Sequence, residues 1–203
     1  MDHEFQSPEL ETAVTELSRL PGVGRKTALR LALHLLRRDA AEANALGMAI
    51  INMRNNVKYC RECHNISPGD ICSICASPTR DHSIVCVVEN VNDVMSIERT
   101  GEYSGVYHVL GGVISPMDGI GPDMLQIQSL IDRVKQGNVT EIILALGATM
   151  EGDTTNFYLY RRLAEFSGLK ITQLARGVAI GNALEYTDDV ALGRSLLQRT
   201  LFS

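Results

Sequence analysis

The sequence contains no long apolar run and no low-complexity tract, and each absence narrows what the chain is. Without a stretch of about 18 apolar residues, no helix is expected to cross a bilayer. The polar opening Met1-Asp2-His3-Glu4 is also unlike a secretory leader. These features predict a protein of the cytoplasm with no membrane partner, where reducing conditions disfavour disulfides. An excess of positive charge is missing too. Nineteen Lys and Arg face 24 Asp and Glu, a net charge of -5 that argues against a generic polycationic coat for nucleic acid.

That average hides a local imbalance. From Leu17 to Arg38 there is no acidic residue, while Arg19, Arg25, Lys26, Arg30, Arg37 and Arg38 are all present. A polyanion is therefore expected to bind near the N-terminus. With 203 residues and 45% hydrophobic content, the chain can still bury a core, as a main domain with smaller modules attached.

The most specific pattern is Cys60-Arg61-Glu62-Cys63, then eight residues, then Cys72-Ser73-Ile74-Cys75. Two CxxC knuckles at this separation can close around one tetrahedral zinc, and four thiolates leave no open position for water or substrate. The expected role is structural, bracing a loop-rich module. Free thiols or two disulfides are the competing reading, which a reducing compartment disfavours. Cys86, between Val85 and Val87, reads as a small core residue.

Ser7-Pro8-Glu9 has the cap, first-turn proline and early acid of a helix start, and Leu10, Ala13, Val14, Leu17 and Leu20 keep a helical period. Leu20-Pro21-Gly22-Val23-Gly24 stops that helix. A second is predicted from Lys26 or Thr27, with Ala28, Leu31, Ala32, Leu35 and Leu36 on its packed face. Arg30, His34, Arg37 and Arg38 fall on the other face. Glycines in the turn let backbone N–H groups approach a phosphate at the following helix, beside Arg25 and Lys26. The stretch resembles the helix-hairpin-helix motif, which grips a DNA backbone without reading bases. Gly22, Gly24, Arg25, Lys26 and Arg30 are thus the candidate DNA contacts; an ordinary αα-hairpin with a solvated cationic face is the competing reading. A third helix is predicted from Asp39, capped by Asp39 with Glu42, through Leu46, Ile50, Met53 and Val57, packing on the hairpin as core.

After Arg80-Asp81 the pattern changes to short apolar runs alternating with helical segments. Strands are predicted at 84–88, 107–110, 141–146 and 170–174, and helices at 91–100, 123–136 and 154–167. Such alternation implies a mainly parallel sheet whose ligands gather at the carboxyl ends of its strands. Glu89 follows the first strand, and Gly147 to Asp153 follows the third. This arrangement resembles the Toprim domain, in which a strand-end glutamate and a D-x-D-bearing acidic segment hold magnesium. Here Gly147 and Thr149 stand where the two aspartates would be, so the paired carboxylate platform is absent and magnesium is not expected. A metal-dependent Toprim nuclease or primase using Glu89, Glu151 and Asp153 remains the alternative, and a zinc-braced scaffold that binds only protein a third reading.

Several further runs, including Tyr107-His108-Val109-Leu110-Gly111-Gly112, Ser115-Pro116 and Gly119-Ile120-Gly121-Pro122, resemble the bacterial RecR family of recombination mediators. The order of parts is similar as well. The fold class this implies is an α+β multi-module chain. Its parts are a helix-hairpin-helix region over 1–58, a four-cysteine zinc finger over 59–80, a Toprim-type α/β domain over 81–175 and a C-terminal strand and helix tail over 176–203.

The resemblance implies a non-enzymatic role in DNA repair, working with RecO-like and RecF-like proteins to load a recombinase on gapped or single-stranded DNA. It also implies a homo-oligomer, as a dimer or ring-shaped tetramer joined through the N-terminal helices and the tail. Glu89, Asp93 and Glu151 would then belong to a partner surface. In the tail, Ala179, Asn182 and Ala183 depart from the family pattern, and no phosphate-loop lysine is present, so no ATP site is expected. An oligomer-exchange arm there competes with a plain connector to a last helix at about Ala191 to Leu201.

Overall fold

A computed structural model of the chain describes residues 7–175 and Gly193. The tail expected over 176–203, with its glycine-bearing segment and last helix, otherwise lies outside the described residues. The chain divides into two compact units, 1–57 and 58–203.

The first unit is helical. Helix α1 (Pro8–Ser18) starts where Ser7 Oγ accepts the Leu10 N–H at 3.3 Å and Pro8 supplies the first turn. Helix α2 (Arg25–Leu36) packs against it around Val14, Ala28 and Ala32, with Leu10, Leu17, Val23 and Leu29 at the margin. The buried stripe is narrower than the sequence period suggests. Leu31 and Leu36 point outward, at 39% and 74% exposure, because two short helices can cover only one row of each other.

Helix α3 (Ala40–Asn56) begins at the expected cap, where Asp39 Oδ1 accepts the Ala41 N–H at 3.0 Å. Glu42 does not complete a capping box there; it pairs with Arg38 at 3.6 Å. The expectation that α3 packs as core is overturned, since the helix has no buried residue. Leu46, Ile50, Met53 and Val57 recur at helical spacing yet are 46%, 56%, 59% and 42% exposed. Among the described residues this row is left largely uncovered.

The second unit opens with a knuckle made by strands β1 (Lys58–Tyr59) and β2 (Ile66–Ser67), paired antiparallel, and the short helix α4 (Ser73–Ala76). Strand β3 (Asp81–Val88) then begins a four-stranded sheet with β4 (Gly105–Val109), β5 (Glu141–Leu144) and β6 (Lys170–Gln173). The order is β4-β3-β5-β6 and every pairing is parallel. Both faces of β3 are covered, which is why Val85 to Val88 read as a continuous apolar run. On one face Val85, Val87, Ile142 and Leu144 meet α6 (Ile127–Lys135) and α7 (Met150–Leu163) through Leu130, Ile131, Val134, Leu159 and Leu163. On the other, Cys86, Val88, Tyr107 and Val109 meet α5 (Val91–Glu98) through Val94.

Two helix starts differ from the periodicity. Helix α6 begins at Ile127, not Asp123, because Pro122–Met124 forms a 3-10 turn and extended Leu125 dips into the core. Helix α7 begins at Met150, four residues before the expected Thr154. Thr149 Oγ1 accepts the Gly152 N–H at 3.1 Å and Glu151 and Asp153 fill an acid-tolerant first turn.

From β3 the chain goes first to β4 on one side and then to β5 on the other. The carboxyl ends of β3 and β5 therefore flank the switch point of the sheet, the usual place for a ligand or partner in this architecture.

Candidate nucleic-acid interface and metal centre

Gly22 adopts a φ of +78°, which turns the chain between α1 and α2 at no steric cost. Gly24 is the N-cap of α2 and offers no side chain to its first N–H groups. No acid stands in the first turn; instead Arg25 and Lys26 occupy it, and both are exposed. Cations at the positive end of a helix weaken it by a few tenths of a kcal/mol each. An anion docked on the turn reverses that penalty and satisfies the uncapped N–H groups. Arg30 lies one turn beyond Lys26 and is exposed. Arg25 Nη2 approaches Glu11 Oε1 at 3.9 Å, a separation long enough to be exchanged for a phosphate.

The four cysteines come together. Their Sγ atoms all lie within 4.8 Å of one another, with Cys63 and Cys72 at 3.5 Å, and all four residues are buried. Sulfurs about 2.3 Å from a tetrahedral zinc sit slightly under 4 Å apart, so the set fits that ion. Backbone N–H groups of Cys72 and Cys75 point at the sulfurs of Cys60 and Cys72, each at 3.4 Å, as suits thiolates. A hydrogen bond from Cys75 pulls the Cys63 thiol down to about 6, while burial pushes Cys72 up to about 11 and the bond to Cys63 raises Cys75. Four thiolates cannot coexist this closely without a cation. No disulfide links them, and Cys86 is buried in the sheet as expected.

At the carboxyl end of the sheet, Glu89 is half-buried and its carbonyl accepts the Gly111 N–H at 2.9 Å. Asp93 is committed locally: its Oδ2 accepts the Asn90 N–H at 2.9 Å in the capping box of α5. Glu151 is exposed in the first turn of α7. Gly147, at one of the two positions where a catalytic Toprim segment would place an aspartate, packs its carbonyl so tightly on Gly152 that a Cβ there would meet it at 2.1 Å. Among the described residues, the four cysteines are the group whose ligand atoms converge; Glu89, Glu151 and Asp153 do not form such a cluster.

Sequence reading missed two groups that hold these parts in place. His64, in the left-handed region at φ +60°, binds Ser129 Oγ at 2.9 Å through Nε2 and stacks edge-on against His108 with ring centroids 5.1 Å apart. His108 is fully buried, its Nε2 bound to the Gln126 carbonyl at 2.7 Å, and burial lowers its pKa to about 3. The second group is Arg80, which pairs with Glu98; Glu98 accepts the Tyr107 hydroxyl at 2.7 Å. That pair draws the Glu98 carboxyl below its ordinary range. Only a residue placed directly after the first CxxC hinted at His64.

Comparison with known proteins assigns each part. Residues 10–54 match the RecR helix-hairpin-helix, residues 57–77 the RecR four-cysteine zinc finger domain and residues 83–175 the Toprim domain. Proteins described as "Recombination protein RecR" align over all 203 residues: 60% identical in Bacteroides fragilis and 59% in Bacteroides thetaiotaomicron, covering 98% of each relative. One from Flavobacterium johnsoniae is 54% identical over 98% of this chain and 96% of its own. The chain belongs to the RecR family. Membership unites the hairpin, the four-cysteine knuckle and the parallel sheet in one recombination-protein architecture. Among the described residues no helix is long and apolar enough to cross a membrane.

Proposed function

We propose that the chain is a non-catalytic mediator of DNA recombination and repair. It binds the sugar-phosphate backbone without sequence preference through Gly22, Gly24, Arg25, Lys26 and Arg30. The observation that supports this most is the uncapped start of α2 with two exposed cations in its first turn, a poor way to stabilise a helix and a good way to hold phosphate. Zinc in Cys60, Cys63, Cys72 and Cys75 braces the knuckle and takes no part in chemistry. Glu89 and Glu151, with the free oxygen of Asp93, form a surface for a RecO-like or RecF-like partner that helps place recombinase on gapped or single-stranded DNA.

A homo-oligomer, dimer or ring, accounts for the uncovered row of α3. The same unit has an apolar groove of about 480 Å³ lined by Leu10, Ala13, Leu17, Leu35, Leu36 and Ala43. A ring would multiply modest backbone contacts through avidity. The test is a cleavage and primer-synthesis assay with magnesium or manganese, run beside DNA binding on the same protein. Binding without turnover is expected. Turnover abolished by Glu89→Gln would replace this reading with that of a Toprim nuclease or primase.

A further inference from the structure

The second unit contains a polar cleft of about 540 Å³ between the knuckle and α6, whose lining includes none of the strand-end acids and which is of a size suited to one nucleotide. Arg61 projects into it from between Cys60 and Cys63. Arg133 approaches from α6. Arg133 Nη1 donates to the Tyr107 carbonyl at 2.9 Å, which fixes the guanidinium plane in advance. Arg61 is exposed and has no ion pair among the described residues. Gln136, Asn138 and Ser129 add neutral hydrogen-bonding groups to the lining.

Two acids also line the cleft, and they differ in effect. Asp132 Oδ1 already accepts from Gln128 at 3.0 Å and from Lys135 at 3.4 Å, so its charge is offset within α6. Glu62 is exposed and has no ion pair among the described residues. The balance leaves two guanidinium groups against one carboxylate, with amides around them. A surface meant for a metal or a basic peptide would show the reverse.

We infer that this cleft is a second nucleic-acid contact, holding a phosphodiester of single-stranded DNA between Arg61 and Arg133 with the attached base against the amides of Gln136 and Asn138. The inference rests on the chain being a DNA-binding protein, and it adds a site that the hairpin does not include. The cleft adds a second anion-binding element to the chain, on a module separate from the hairpin. Glu62 then limits affinity, which suits a protein that must release DNA.

The experiment is arginine footprinting of the full-length, zinc-loaded protein. Phenylglyoxal modification of Arg61 is followed by mass spectrometry with and without a saturating oligothymidylate of about twenty nucleotides. It is run in wild-type and Arg25→Ala/Lys26→Ala protein. Slower modification of Arg61 in both proteins is expected. In parallel, Arg61→Gln should lower the salt slope of single-strand binding by about 0.7 while melting as the wild type does, and Glu62→Gln should tighten binding. An Arg61 that only balances the charge of zinc-bound thiolates would give lower melting temperature with an unchanged slope, and would overturn the inference. So would an unprotected Arg61 in a protein that binds DNA. Equal protection by inorganic phosphate at matched ionic strength, or by polyglutamate, would reassign the cleft to a free anion or an acidic protein. No DNA binding by the wild type at all would remove the mediator reading together with this one.

Discussion

The Val109 N–H donates to the Cys63 carbonyl at 2.8 Å, joining the last residue of β4 to the first CxxC knuckle. Next along the chain, the Leu110 and Gly111 N–H groups bind the carbonyls of Val88 and Glu89, each at 2.9 Å. The knuckle is thereby tied, through one strand end, to the surface where Glu89 sits.

Metal removal is expected to act at that seam. A strong chelator, or Cys63→Ser, should leave an uncompensated set of close thiols and open the knuckle. Hydrogen exchange should speed up at 58–76 and at Val109, while amides of α1 and α2 keep their rates. Unchanged exchange at Val109 would show that the knuckle does not support β4.

Burial of His108 predicts a pH dependence. Its folded pKa is lowered to about 3 from an ordinary 6.5, so between those values the unfolded chain holds a proton that the folded chain does not. Stability should therefore fall as pH drops below 6.5, by up to about 1.4 kcal/mol per pH unit for this group. Urea titrations at several pH values should show a steeper loss in the wild type than in His108→Gln, the contribution of the thiols being common to both. Parallel curves would contradict the assignment.

Close backbone packing at the start of α7 makes a paired test of glycine. Gly152→Ala forces a Cβ against the Gly147 carbonyl and should cost about 1 to 3 kcal/mol. Gly47→Ala in α3, where a Cβ would meet nothing within 4 Å, should gain up to about 1 kcal/mol. Denaturant midpoints of the two variants are expected to move in opposite directions.

The exposed row of α3 is expected to be an assembly surface. Ile50→Glu/Met53→Glu should reduce the mass measured by light scattering while the helical signal in circular dichroism is kept. Each buried apolar side chain of this size is worth about 1.5 to 3 kcal/mol, enough to shift dissociation more than tenfold. A mass equal to that of the wild type would leave the row unexplained.

Much of this was legible in the residues. The CxxC pair, the glycine turn and the alternating strands are local patterns, and local physics fixes them: thiol spacing, positive φ and side-chain period. Failures arose where a pattern depends on what lies across from it. The period of α3 says that one face is apolar but not what covers it. Thr149 moved the start of α7 to Met150, since a side-chain cap fixes a helix start that apolar period alone does not mark. His64 and Arg80 were invisible as functional supports, since their partners Ser129, His108 and Glu98 are 18 or more positions away. The cleft between Arg61 and Arg133 is likewise a meeting of distant segments that no spacing announces.

The most direct test of the account is the salt dependence of duplex DNA binding by wild-type and Arg25→Ala/Lys26→Ala protein. The wild type should show a steep negative slope of log affinity against log salt. The variant should bind more weakly, with a slope shallower by about 0.9 for each phosphate it no longer neutralises, and it should melt no lower than the wild type. Equal affinity and equal slope in the two proteins would contradict the claim that the glycine turn and its two cations hold the DNA backbone.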